Sequence, residues 1–310
     1  MMKSPPTDRG ALERLDTRLR TMLPEEYQDS YDDVQPVAMR SAGLKYGIDG
    51  RVAWDAIWGS FCDLAMAGGP PHKGALLEPA SPAEISAEPQ RYRDVVDEIC
   101  RGVTLVTGLS AERSPIPGWV RVSCTSEEMA AWLLRAIVME NVAARVGGAT
   151  LDLPAGPAYR LDKEIKNVIT VIAKTCHYWT GHMWQAQHRE IADLFAGMAD
   201  AAPLIEPASS TDDVAAHDLE RAASEMARAI DAQTGLRVSD HHYRGWLGIE
   251  CPSVRVAVWM MRLMVASNIL SRREGSVLFV PVNPTADPGS ETVVRCVTRI
   301  HGFAVARGIV

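Results

Sequence analysis

Cysteine is sparse and scattered. The six thiols stand at 62, 100, 124, 176, 251 and 296, with no CxxC pair among them. That spacing argues against a disulfide framework and leaves free thiols in a reducing compartment as the expectation. No uninterrupted apolar run reaches the roughly 18–20 residues of a membrane span. The opening MMKSPPTDRG lacks the apolar core of a signal peptide, so a cytoplasmic protein with no membrane partner is expected. Positive charge is also in deficit: 32 Lys and Arg against 39 Asp and Glu give a net charge of −7. A nucleic-acid binder would show a basic stripe, so no nucleic-acid partner is expected. Missing too are the dinucleotide fingerprint, the P-loop, GxSxG, HExxH and the EF-hand loop, so no cofactor can be named from motifs.

What the chain does have is itself, twice. Residues 94 to about 176 recur from about 221 to 303 at a fixed displacement of 127, the separation of Cys124 from Cys251. The same displacement relates Gly108 to Gly235, Trp119 to Trp246, Trp132 to Trp259 and Pro154 to Pro281. Between Thr107 and Pro157 about a third of positions are identical, where unrelated stretches share roughly one in fifteen. The period is that of a small domain, longer than the roughly 20–50 residues of a solenoid repeat. At 310 residues, 47% of them hydrophobic, the chain has room for two domains or one large core.

Each copy reads as helix, Thr-Gly-Leu stop, strand, long helix, strand and helix. In the first these are 93–106, 119–123, 126–145, 150–153 and 162–178; in the second, 218–233, 247–250, 253–272, 276–280 and 290–306. Strand–helix–strand order predicts a βαβ unit with a right-handed crossover. The expected class is α/β or α+β: a tandem duplication of an α-β-α-β-α unit, pseudo-two-fold, with an N-terminal helical extension. Residues 1–93 form that extension and a linker, 94–200 the first repeat plus an extra helix near 182–198, 201–217 a connector and 218–310 the second repeat. Within the extension, 12–22 and Val52–Ala67 (VAWDAIWGSFCDLAMA) have helical periodicity, the latter stopped by Gly68-Gly69-Pro70-Pro71. Trp outnumbers Phe, eight to four, and its recurrence suggests core or interface anchors.

Five constellations carry chemistry. Cys124 and Cys251 each end a strand before a helix that Ser126 or Ser253 can cap. A thiol there feels the helix dipole and leans toward thiolate, unless it is simply a small buried residue. Thr125 with Glu128 offers the first copy an alternative capping box. Arg135, Asn141 and Arg145 recur as Arg262, Asn268 and Arg272 on the long helix, Asn141 and Arg145 sharing a face. Their guanidinium forks suit carboxylate or phosphate, or else tie each helix to a nearby carboxylate.

A third set, Lys163, Asn167, Thr170, Lys174 and His177, lines one face of a helix in the first copy alone. Fourth is the run through Cys176, His177, His182, Trp184 and His188. Its histidines are five and six apart and miss the i, i+4 spacing of helical zinc ligands, so no metal site is assigned. His177 and His188, with Trp184 between them, suit a planar aromatic or haem-like ligand on one helix face. Last, Gly68 to Gly74 places His72 and Lys73 in a stiff turn that either closes a site or merely stops a helix.

The reading that follows is a protein that binds an anionic small molecule between its two halves: a polycarboxylate, a phosphometabolite or a tetrapyrrole. Arg135, Arg145, Arg262 and Arg272 with Asn141, Asn268, Lys163, Asn167 and Lys174 would hold the ligand. If there is a reaction, it is proton or group transfer, with His177 and His72 as the acid–base residues because imidazole titrates near neutrality. Metabolite or cofactor biosynthesis would fit such a protein. The rivals are a non-catalytic cofactor-assembly or protein-interaction factor and a haem or metal carrier. Exposed sheet edges would also allow a homodimer.

Overall fold

The computed structural model describes residues 9–29, 43–56, 74–209, 214–241 and 243–310. In order these form α1 (Arg9–Met22), α2 (Glu25–Gln28), α3 (Pro82–Ala87), α4 (Pro89–Thr107), β1 (Ala111–Arg113), β2 (Trp119–Ser123), α5 (Glu127–Met139), β3 (Arg145–Gly147) and β4 (Thr150–Pro154). There follow a π-turn (Leu161–Ile165), α6 (Lys166–His177), a second π-turn (Tyr178–His182), α7 (Gln185–Ala201), α8 (Ala216–Thr234), β5 (Trp246–Glu250), α9 (Val254–Ala266), β6 (Arg272–Glu274), β7 (Val277–Pro281) and, after a short 3₁₀ turn, α10 (Glu291–Ala306). The class is α+β, with two small antiparallel sheets. No helix among the described residues is long and apolar enough to cross a membrane.

The chain divides into two compact units, a central one of Gln35–His188 and a terminal one of Met1–Val34 with Arg189–Val310. The first 93 residues, expected as a single extension, are therefore shared between them. Leu12, Leu15, Leu19 and Met22 are the buried stripe of α1, and they pack in the terminal unit against α9. Of the helix expected at Val52–Ala67, residues 57–67 lie outside the described part, as do His72 and most of its loop.

In the central unit the strands run β1-β2-β4-β3. β4 pairs antiparallel with β2, Val120 opposite Leu153 and Val122 opposite Leu151, and all four side chains are fully buried. This corrects the expected right-handed crossover, and the cause is local. α5 does not run on to Arg145: Asn141 adopts a left-handed backbone, φ 62°, which asparagine tolerates better than other non-glycine residues. The released chain makes the short strand β3, and Gly148 at φ 60° turns it back as β4, hairpin-fashion. The terminal unit does the same. Asn268 ends α9 at φ 62° and Gly275 sits at φ 56°, giving the order β5-β7-β6.

Helix ends follow the sequence closely. Ser126 Oγ accepts from Met129 N–H at 3.2 Å and Ser253 Oγ from Val256 N–H at 3.3 Å, so the serines are the caps. The rival Thr125 hydroxyl instead faces the Met129 sulfur. Gly108 and Gly235 stop α4 and α8 in the left-handed region at φ 73° and 72°.

Two stretches, one where the extension and linker were expected and one where the connector was, are bonded into the units. In the central unit Leu77 exchanges backbone hydrogen bonds with Asn141 and Ala143, both 2.9 Å, and Ala80 N–H donates to Ala155 O at 3.1 Å. In the terminal unit Ile205 bonds Asn268 and Leu270 at 3.1 and 2.9 Å, and Ala208 N–H donates to Val282 O at 3.1 Å. Each strap lies so close that a side chain opposite it has no room. A Cβ on Gly118, φ 88°, would come within 2.6 Å of Ala80 O, and one on Gly245, φ 71°, within 2.6 Å of Ala208 O. Gly118→Ala and Gly245→Ala are expected to lose about 1–3 kcal/mol each from backbone strain alone, read as a lower denaturation midpoint. An unchanged midpoint in either would mean that the strap does not press on that glycine.

Candidate functional site

The arginines expected to grip a ligand are held within their own elements. Arg135 is buried on α5 and its Nη1 donates to Ala131 O at 2.9 Å; Arg262 is half-buried on α9. Arg145 and Arg272 are not on the long helices at all. They begin β3 and β6, because the helices end at the left-handed asparagines. In the central sheet, Asp152 stands opposite both Arg121 and Arg145. Arg121 binds it through two hydrogen bonds of 2.9 and 3.0 Å, and Arg145 approaches at 3.8 Å with its guanidinium over Trp119.

The corresponding place in the other sheet is filled differently. Phe279 stands opposite Gly248 and Arg272. The Arg272 guanidinium carbon lies 4.0, 4.3 and 5.3 Å from the ring centres of Phe279, Tyr243 and Trp246, and Nη1 is 2.6 Å from Glu274. Arg272 has no exposed surface. The cation is enclosed by the quadrupoles of three rings and one carboxylate, an arrangement that holds a sheet together. Asn141 and Asn268 also do structural work: beyond ending their helices, their amides donate to Gly74 O (3.2 Å) and Ala202 O (2.9 Å).

The first-copy stripe is divided. Lys163 lies in the first π-turn, exposed and 3.2 Å from Glu164. Asn167 is half-buried early in α6. Lys174 is buried and paired to Glu140 at 2.8 Å, its ammonium over the Tyr178 ring. His177 faces His182, Nε2 to Nε2, at 3.1 Å. Helical spacing in steps of 3.6 keeps residues five apart on different faces. The π-turn at Tyr178–His182 widens the coil so that i and i+5 come into line. His188 joins neither partner. Its ring stacks on Trp179 at 4.0 Å and 3°, with Nε2 2.8 Å from Trp179 O, while Trp184 is 73% exposed. The planar-ligand slot expected between His177 and His188 is therefore not formed.

The strand-end cysteines are not thiolates. Burial pushes the Cys124 thiol up to about 11 and that of Cys251 up to about 12, so desolvation outweighs the helix dipole and both stay protonated at neutral pH.

A different cluster forms a cavity in the terminal unit. About 300 Å³ of space opens between α1 and α10, near the end of α9. Arg14 and Arg18, one turn apart on α1, face Arg295 and Arg299, one turn apart on α10. Ser267 and Thr292 add hydroxyls, Cys296 a thiol, and Ala11, Leu15, Ile269 and Ile300 supply apolar wall. No carboxylate and no aromatic ring is among these lining residues. Arg14, Arg295 and Arg299 are exposed and Arg18 half-buried. Burial raises the Cys296 thiol despite the opposing pull of Ser267, Arg299 and Arg295; it lines the cavity as a neutral group.

The direction of α10 is fixed from its N-terminus. The buried Asp287 carboxylate accepts from Thr292 N–H and Val293 N–H, both at 3.0 Å. Charge-assisted bonds of this kind hold a helix end firmly, which sets the rotation that turns Thr292, Arg295, Cys296 and Arg299 onto the cavity. No protein-family model, curated protein or solved structure matches the chain.

Proposed function

We propose that the protein binds a small polyanion in the cavity between α1 and α10. The observation that carries this reading is the convergence of four guanidinium groups on one space, with no carboxylate among its described lining residues. Arginine stays charged at any physiological pH, and its planar fork pairs with carboxylate or phosphate oxygens. A cavity of this size lies at the lower end of the range for small-molecule sites. A polycarboxylate or a phosphometabolite meets that chemistry; a tetrapyrrole, which would want rings to stack on, does not. The described lining residues offer hydroxyls and a protonated thiol, which support a reading of binding.

We also infer that the two units descend from a duplicated ancestor. In support, the registers Trp119–Pro154 and Trp246–Pro281 differ by the same 127 positions, as do the capping serines, the left-handed asparagines and the helix-stopping glycines. The polyanion site then belongs to one descendant alone. Where α10 carries Arg295 and Arg299, α6 has Val168 and Ile172, both fully buried.

Calorimetric titration at low ionic strength tests the binding. Citrate and pyrophosphate are expected to saturate one site, with affinity falling as salt rises because exposed charges are screened. The neutral trimethyl ester of citrate is expected not to bind. Equal binding of ester and citrate, or no saturable heat from either anion, sinks the proposal.

A further inference from the structure

The geometry points to a second site, in the central unit: His177 and His182 form a two-imidazole chelate for a late first-row divalent cation, copper(II) above all. The two Nε2 atoms are 3.1 Å apart and the rings meet edge to face, 71° between planes. A hydrogen bond at this distance needs one ring to donate and the other to accept, so the accepting ring is neutral and the two Nε2 atoms face each other. A metal ion takes the place of the shared proton when the donor ring moves its hydrogen from Nε2 to Nδ1. Both rings are neutral in the chelate, and a pair that is neutral beforehand releases no net proton.

The distance admits several metals, and the stability order chooses among them. An ion about 2.0–2.1 Å from each nitrogen would see them at an angle of about 100°. That lies midway between the right angle of adjacent ligands in tetragonal or octahedral coordination and the tetrahedral angle preferred at structural zinc sites, so the pair accommodates either. Imidazole suits copper, nickel and zinc alike, and the stability order places copper(II) first. No group of three or more metal-binding side chains occurs among the described residues, and water would complete the shell of a two-imidazole site. The cost of bringing a dication here is moderated by the surroundings. Both histidines are half-buried, so the ion remains in contact with solvent. The nearby Lys174 ammonium, over the Tyr178 ring, is already neutralised by Glu140 at 2.8 Å. The chelate exists because of the π-turn; in a regular α-helix the i, i+5 pair would diverge.

Copper(II) chloride titrated into the full-length protein, followed by electron paramagnetic resonance, tests this. One equivalent is expected to saturate first, with superhyperfine coupling to two imidazole nitrogens. His177→Gln and His182→Gln should each lose that two-nitrogen signal with unchanged far-ultraviolet circular dichroism. Persistence of the two-nitrogen signal in both variants, or no saturable equivalent in the wild type, overturns the assignment. Should either variant misfold, the wild type alone decides, through diethyl pyrocarbonate labelling read by mass spectrometry. One equivalent of copper must then protect His177 and His182; labelling that proceeds at the metal-free rate rejects the site.

Discussion

Arg272→Ala is expected to lower folding stability by about 3–5 kcal/mol, the usual consequence of removing one partner from a buried ion pair. Glu274, 18% exposed and 2.6 Å from the guanidinium, would keep only the His241 imidazole at 3.7 Å. A void would open among Phe279, Tyr243 and Trp246, whose rings now enclose the cation. Lysine is a poor replacement, because a compact ammonium can neither lie flat against the rings nor present the same fork. Urea denaturation followed by circular dichroism gives the answer. A fold of unchanged stability that had lost its affinity for citrate would instead make Arg272 a ligand residue. Arg145→Ala should cost much less: its side chain is 35% exposed and 3.8 Å from Asp152, and Arg121 would still hold that carboxylate by two hydrogen bonds.

The two sheets solve the same cross-strand problem with different chemistry. Asp152 between Arg121 and Arg145 occupies the register position of Phe279 between Gly248 and Arg272. In the second case the phenyl ring lies where a side chain on Gly248 would have been; a Cβ there would meet it at 3.1 Å. Only the shared arginine is visible in a comparison of the copies. That is why recurrence alone suggested a ligand-gripping residue, whereas recurrence here reflects a common place in the sheet.

Local signals in the sequence were the reliable ones. The Thr-Gly-Leu stops, the serine caps and the alternation of Val120 with Val122 each act over one turn or one strand, and each is realised. The antiparallel pairing was harder to read because it depends on a three-residue strand, too short for a period of two to register. It depends also on asparagine acting as a helix terminator, a role glycine usually takes. The straps were missed although Leu76–Ser81 (LLEPAS) and Leu204–Ser209 (LIEPAS) are nearly the same string. Their displacement is 128, one more than elsewhere, so a comparison at fixed offset passes over them.

The cavity is hard to read in the sequence for a related reason. The difference most visible in the sequence lies on the face of Lys163, Lys174 and His177, which is polar in the first copy. The informative face is its neighbour, Ile165, Val168, Ile169 and Ile172, all buried, which in the second copy reads Thr292, Arg295, Cys296 and Arg299. Two helices carrying arginine at i and i+4, Arg14 with Arg18 and Arg295 with Arg299, hold like charges at a spacing that weakens a helix by roughly 0.2–0.5 kcal/mol. A destabilising pattern present twice was the available signal. That the two pairs line one cavity depends on tertiary packing, and no local rule supplies it.

Thermal melting of Arg295→Gln/Arg299→Gln beside the wild type, at low ionic strength with and without pyrophosphate, asks most directly whether these arginines serve a ligand or the fold. If they serve a ligand, the double variant melts at or above the wild type in anion-free buffer, because like-charge repulsion has been relieved. Pyrophosphate at about a hundred times its dissociation constant then stabilises the wild type by about 2.7 kcal/mol and leaves the variant unmoved. A variant that melts lower without anion, and that pyrophosphate shifts as much as it shifts the wild type, would contradict the account and return the four arginines to the structure.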